Sequence, residues 1–291
     1  MPLSNCFLLH KSTKLYSSVL KTASSKSNLT IPTDENEYEF NKRYRGLAII
    51  ISNENFTTLT CRKYCDDEIR LMQETFGKCL KFTVITFKDL KAKQINLVLK
   101  IACKQTEFHQ QSDYFACVLA SHGTEKSRTM KTPGVYYRDH CICGVDEDTA
   151  CRMKMDETAI ESCIDQGHVL PVKIAVKENN QIIISDHADK CFSGSFIFLF
   201  DYFRKTIVRK EDQGGWMLIS LHKAVKEQLR VQKETNRIDI LDVLIFMTRE
   251  VSNSETFQTK FPEGTVNPKR KATIVFEHCL HKELYLYNST D

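Results

Sequence analysis

"DYFACVLASHG", Asp113–Gly123, decides how this chain is read. Seven residues from Tyr114 to Ala120 are apolar or small, which suits a buried strand, and the run stops at Ser121–His122–Gly123. Two earlier runs have the same character: "GLAIIIS" (Gly46–Ser52) and "KFTVITF" (Lys81–Phe87). In "GLAIIIS" both faces are hydrophobic, the pattern of a strand covered on both sides in a parallel sheet. Between them, "DDEIRLMQETFGKCL" places Ile69, Met72, Phe76 and Leu80 on one helical face, with Asp66 and Asp67 at the end where the helix dipole favours acids. "QINLVLKIACKQ" (Gln94–Gln105) reads as a second helix. Strand, helix, strand, helix, strand implies right-handed crossovers and a mostly parallel sheet covered on both faces.

Further along, the pattern loosens and then recovers. "TEKSRTMKTPGVYYRD" (Thr124–Asp139) reads as a long polar loop and "KMDETAIESCIDQG" (Lys154–Gly167) as a short helix. "LPVKIAVKENNQIIIS" reads as two β-rich runs around the turn-prone Glu178–Asn179–Asn180. "FIFLF" (Phe196–Phe200) is then a strand, "GGWMLISLHKAVKEQL" and "DILDVLIFMTREVS" are helices, and "ATIVFEHCLHKELYLY" supplies one or two closing strands.

The chain has 291 residues, 42% of them hydrophobic, enough for one sizeable core. Its 41 basic and 37 acidic residues are interspersed, so no basic stripe points to nucleic acid. No run reaches membrane-spanning length, and the apolar patch Cys6–Leu9 is too short for a secretory signal. The Lys/Ser-rich start lacks the arginines of a mitochondrial leader, so residues 1–42 are read as a flexible pro-segment and the protein as cytoplasmic. Twelve cysteines without regular spacing read as reduced thiols. His140, Cys141, Cys143 and Cys151 cluster in sequence, but without paired CxxC motifs they read as a surface loop with a strand behind it, and no metal or cofactor is expected.

In sheets of this kind reactive groups stand beyond the carboxyl ends of the strands, which puts the His122 imidazole at that mouth. The Gly123 N–H, with no side chain in front of it, is suited to facing a developing oxyanion.

Several segments in order resemble the caspase family: "RGLAIIISNENF", "CRKYCDDEIRLMQETF", "YFACVLASHG", "SFIFLFDYF", "IVRKEDQGGWMLISL" and "KELYLY". The resemblance covers roughly residues 43–291. It implies a caspase-like α/β three-layer sandwich with a mostly parallel six-stranded sheet flanked by helices. It divides the chain into a large-subunit-like region (43–194) and a small-subunit-like region (195–291). It also implies an Asp-directed cysteine endopeptidase of cell-death or related signalling, made as a zymogen. Position by position, His122 takes the catalytic histidine role, Gly123 the oxyanion N–H, and Arg62 and Arg209 the two-guanidinium clamp on a substrate aspartate.

This sequence departs from that pattern in three places. No Gln-Ala-Cys-x-Gly signature follows any strand. The substrate loop reads Ile207–Val208–Arg209, without the family's aromatic wall, and Asp201 adds negative charge near the clamp. Three placements of the nucleophile stay open. Cys163 follows His122 at a family-like interval but in helical context. "VKIAV" or "QIIIS" taken as the missing strand leaves no nucleophile. Cys191 in "DKCFSGS" resembles a metacaspase turn, but it precedes the "FIFLF" strand and so belongs at the edge away from His122.

Two functions follow from this reading. One is a degenerate, weak or inactive member that acts as decoy or regulator of an active caspase through a sheet-edge dimer surface. The other is an active endopeptidase using His122 with Cys163 or Cys191 on a protein substrate. Neither nucleic acid nor membrane is an expected partner.

Overall fold

The computed structural model describes residues 16, 18–23, 36–38, 40, 42–129, 136–146, 152–154, 174–177, 181–184, 195–200, 209–210, 214–232, 237–253 and 282–287. Its central sheet contains β1 (Tyr44–Ser52), β2 (Thr83–Lys88), β3 (Ser112–Ala120) and β9 (Ser195–Phe200), in the order β2-β1-β3-β9. Every pairing is parallel, with Ile49 opposite both Ile85 and Cys117 and Val118 opposite Leu199. Of the six strands expected, these four are found among the described residues.

Alternation along β1 and β3 divides their side chains between two cores, because successive Cβ atoms point to opposite faces. Ala48, Ile50, Ala116 and Val118 pack with Met72, Phe76, Leu218, Leu221, Val243 and Met247. Leu47, Ile49, Ile51, Phe115, Cys117 and Leu119 pack with Ile95, Val98 and Ala102. The first layer is α1 (Cys65–Met72), α4 (Trp216–Val231) and α5 (Ile240–Asn253), and the second holds α2 (Ala92–Cys103) and α3 (Thr106–Gln110). This is the three-layer arrangement, and each buried Ile, Leu or Val in it contributes ~1.5–3 kcal/mol before chain entropy is subtracted.

The helix expected over Asp66–Leu80 changes character at Gln73, where a π-helical segment runs to Cys79 and the Leu80 N–H donates to the Thr75 carbonyl. It still turns Met72, Phe76 and Leu80 to the core.

The segment read as a long polar loop is instead largely strand. β4 (Gly123–Thr129) pairs antiparallel with β5 (Tyr136–Cys143), and β6 (Arg152–Lys154) pairs with β5. The charged composition of "GTEKSRT" hid it, because the run carries no apolar alternation. "DHCIC" lies within β5. The runs "VKIAV" and "QIIIS" form β7 (Ile174–Lys177) and β8 (Gln181–Ile184), an antiparallel hairpin that joins β5. They therefore do not supply the strand beside β3, which corrects the placement that used either of them as the missing nucleophile strand. The short helix expected over Lys154–Gly167 lies outside the described residues apart from Lys154.

Within the segment expected to be flexible, the described apolar residues are packed against the domain. Tyr16 is fully buried and its hydroxyl donates to the Val98 carbonyl at 3.2 Å, while Val19, Leu20 and Ala23 lie against the α2-side core. Tyr38 and Phe40 join the opposite core, and Glu37 bridges Glu283 and pairs with Arg237. The spacing Tyr16, Val19, Leu20, Ala23 is that of one helical face, which explains the docking.

Candidate active site

β1 crosses through α1 to β2 on one side, and the chain returns through α2 and α3 to β3 on the other, so the strand order reverses between β1 and β3. The crevice beyond their carboxyl ends is where such sheets bind ligands. Ser52 and Ala120 end the two strands side by side. Asn53 and Ser121–His122 follow them.

Asn53 is the hub of this crevice. It is fully buried, its Nδ2 donates to the Leu90 carbonyl (3.2 Å), Ser121 Oγ (3.1 Å) and the Cys143 carbonyl (3.3 Å), and its Oδ1 accepts from the Leu90 N–H (2.9 Å). Ser121 Oγ donates to the same Cys143 carbonyl at 2.6 Å, and the Cys143 N–H donates to the His122 carbonyl at 2.8 Å. The backbone carrying His122 is therefore fastened on both sides. Asp89 secures the loop after β1 by accepting from the Glu54 and Asn55 N–H groups and the Asn55 amide. Burial raises its pKa, but those donors outweigh burial and hold its carboxyl below the ordinary value.

His122 is half-buried, with Phe56 edge-on at 4.6 Å between ring centroids. Its Nε2 lies 2.7 Å from the Thr60 carbonyl. A carbonyl only accepts, so Nε2 carries the proton and Nδ1 holds the lone pair that can take a proton from a nucleophile. The carbonyl thus fixes both the tautomer and the ring orientation, as a third group does in a nucleophile–base pair.

Two residues beyond Thr60, Arg62 is 5% exposed. Its Nη1 donates to the Asn53 carbonyl at 2.9 Å and the Ala120 carbonyl at 2.8 Å, and its Nη2 lies 3.5 Å from Glu68 Oε2. The guanidinium sits across the carboxyl ends of β1 and β3, on the same loop that orients His122. A desolvated carboxylate needs such a charge-assisted partner. His122 and Arg62 both stand at the carboxyl ends of β1 and β3, joined by the loop that carries Thr60. Gly123 opens β4 directly after His122. Arg209 lies in β10 (Arg209–Lys210), which pairs antiparallel with β11 (Gly214–Gly215) at the start of α4. Cys163, Cys191, Asp201 and Ile207–Val208 lie outside the described residues.

Among the described thiols, Cys65, Cys117 and Cys143 are buried and Cys61 is exposed. Burial pushes the Cys117 thiol up to about 12, far from a nucleophile. Cys65 Sγ donates to the Arg62 carbonyl at 3.0 Å. No group of three or more His, Cys, Asp or Glu among the described residues is arranged to hold a metal ion, and no described helix is long and apolar enough to cross a membrane.

Sequence reasoning missed Asn53, Glu68 and Thr60. A polar residue directly after a strand as apolar as β1 is a usable signal for Asn53. Glu68 was hidden in the acidic run Asp66–Asp67–Glu68, and Thr60 acts through its backbone, which no side-chain pattern reveals.

The caspase domain family profile matches residues 45–277. Caspase-3 of Bos taurus is 25% identical over 268 residues, 86% of this chain and 88% of that protein. Caspase-7 of Gallus gallus is 34% identical over 106 residues, 35% of this chain and 33% of that protein. The crystal structure of caspase-1 from Spodoptera frugiperda superposes with a TM-score of 0.57 at 21% identity, over 89% of this chain and 96% of that one, which shows the fold. A profile match across most of the chain, joined to a caspase-like α/β fold with a histidine and an arginine at the strand ends, places this chain in the caspase family of cysteine proteases.

Proposed function

We propose that this chain reads an aspartate side chain with Arg62 and Arg209 but presents no thiolate to His122, and acts in cell-death or related signalling as decoy or regulator of an active caspase. It meets that partner through a sheet-edge dimer surface, in the cytoplasm. Cleavage by the chain itself is weak or absent. A sheet completed to six strands by residues outside the described ones belongs to the same reading.

The observation that carries this is the register of β9. In a parallel sheet the group facing His122 comes from the carboxyl end of the strand paired to β3. Leu119 is opposite Phe200, and the chain from Phe196 reads Phe-Ile-Phe-Leu-Phe-Asp-Tyr-Phe, with no cysteine. The amino end of β9 supports it too. Ser195 stands opposite Tyr114, eight residues before His122, or ~26 Å along a strand. Cys191 is four residues before Ser195, a reach of ~14 Å.

The test is fluorescence polarisation with a labelled peptide ending in Asp and its Asn counterpart. The wild type should prefer Asp by about tenfold or more, Arg209→Ala should remove the preference, and peptide turnover should not depend on His122. Equal affinity for the two peptides, or Asp-directed cleavage abolished by His122→Ala, would overturn the proposal.

A further inference from the structure

The carboxylate of Glu68 is 1% exposed and has partners in three separate parts of the fold. Its Oε2 accepts from Ser52 Oγ at 2.9 Å, at the end of β1, and lies 3.5 Å from Arg62 Nη2. Its Oε1 accepts from the Gly215 N–H at 2.9 Å. Gly215 caps the amino end of α4 and is the strand partner of Arg209. Glycine brings no side chain to that helix end, and none of α4's first-turn residues is acidic. The remote carboxylate of Glu68 takes that place, where the helix dipole favours an anion.

One buried carboxylate therefore joins both arms expected to hold an aspartate. It contacts Arg62 directly and reaches Arg209 through the residue paired with it. The two arginines come from regions separated by well over a hundred residues of chain. A two-point clamp works only if its arms keep their separation, because a displacement of about 1 Å costs up to 10²-fold in a positioned site. We infer that Glu68 is a positioning residue that sets the spacing of the Arg62 and Arg209 arms and so determines how strongly the site prefers an aspartate over its neutral isostere. This rests on the reading of the site as an aspartate pocket. A glutamate suits the task because its length spans from α1 to Gly215 while Oε2 stays with Ser52 and Arg62. Aspartate, one methylene shorter, cannot keep both ends.

The test compares wild type with Glu68→Gln, which keeps the volume but has one acceptor oxygen where the carboxylate has two, so it cannot accept from Gly215 at one end and from Ser52 and Arg62 at the other. The readouts are the ratio of affinities for the Asp-ending and Asn-ending peptides and amide hydrogen exchange over residues 209–216. Glu68→Gln should lower the ratio about tenfold through weaker Asp binding with unchanged Asn binding, and should speed exchange at 209–216 while β2 and α2 keep wild-type protection. Ser52→Ala, which removes one donor from the same carboxylate, is the milder second variant and should move the ratio the same way by about threefold. A wild type that prefers Asp, with the ratio intact in both variants, overturns the role of Glu68 and leaves the aspartate pocket standing. A wild type with no preference overturns the pocket instead. Exchange then decides the link by itself, since wild-type protection at 209–216 in Glu68→Gln overturns it.

Discussion

Replacing Tyr16 tests whether the segment before β1 is a removable tail or part of the domain. The ring is fully buried among side chains that belong to α2 and the sheet, with Phe87 at 6.4 Å between centroids, and its hydroxyl donates to the Val98 carbonyl. Removing a buried aromatic to alanine costs ~3–5 kcal/mol, because the transfer free energy is lost and a cavity remains. The hydroxyl accounts for ~1 kcal/mol of that, so Tyr16→Phe isolates it. A domain is stable by ~5–15 kcal/mol, and Tyr16→Ala therefore removes a large share. With a denaturant slope of ~3 kcal/mol/M for a chain of this size, the urea midpoint should fall by ~1–1.7 M for Tyr16→Ala and by ~0.3 M for Tyr16→Phe. Deleting residues 1–24 should cost at least as much as Tyr16→Ala, because Val19, Leu20 and Ala23 leave with the ring. Equilibrium urea unfolding followed by tryptophan fluorescence reads this from the single Trp216 in α4. If Tyr16→Ala and the deletion both kept the wild-type midpoint within ~0.2 M, the packing of this segment would contribute nothing and the reasoning would be refuted.

Three further outcomes are expected. Gly46→Ala should lower stability by ~2–4 kcal/mol, since Gly46 has φ +149° and an added Cβ would stand 2.1 Å from the Tyr114 carbonyl oxygen; a thermal melt that matches wild type would contradict this. Asn53→Ala should cost ~2–4 kcal/mol by leaving the buried Leu90 N–H without its acceptor and taking one donor from the Cys143 carbonyl, and should broaden the His122 ring signals in NMR spectra; unchanged spectra would show that Asn53 does not hold that backbone. Burial lowers the His109 pKa below 6.5, more than its bond to the Ala102 carbonyl raises it. The unfolded chain then takes up the proton first, so this contribution to stability is complete above pH 6.5 and is lost as pH falls from there through the folded value. In urea midpoints measured from pH 8 to pH 5, His109→Gln should show a shallower decline than wild type, and an identical decline would rule His109 out.

β1 and β3 were legible because they are covered on both faces: "GLAIIIS" and "DYFACVLA" have no polar face to confuse the reading. "KFTVITF" appears as β2 at the end of the sheet, where Ile85 is buried. The same logic hid β4, whose residues Gly123–Thr129 are polar throughout and which pairs antiparallel with β5. At the site, His122 and Arg62 stood out as side chains with recognisable roles. What orients them did not, because the Thr60, Asn53 and Ala120 contributions are backbone carbonyls. Glu68 resembled its exposed neighbours until the fold buried it. Tyr16 was passed over because a Lys/Ser-rich surrounding masks a short apolar face.

The central claim concerns what faces His122, and one labelling measurement addresses it most directly. The purified protein is incubated with an Asp-terminated peptide carrying a thiol-reactive warhead, and modified cysteines are mapped by mass spectrometry in wild type and in His122→Ala. The account predicts slow labelling of the exposed Cys61, equal in the two proteins, and no His122-dependent adduct at any cysteine. Rapid labelling of Cys163 or Cys191 that disappears in His122→Ala would contradict it.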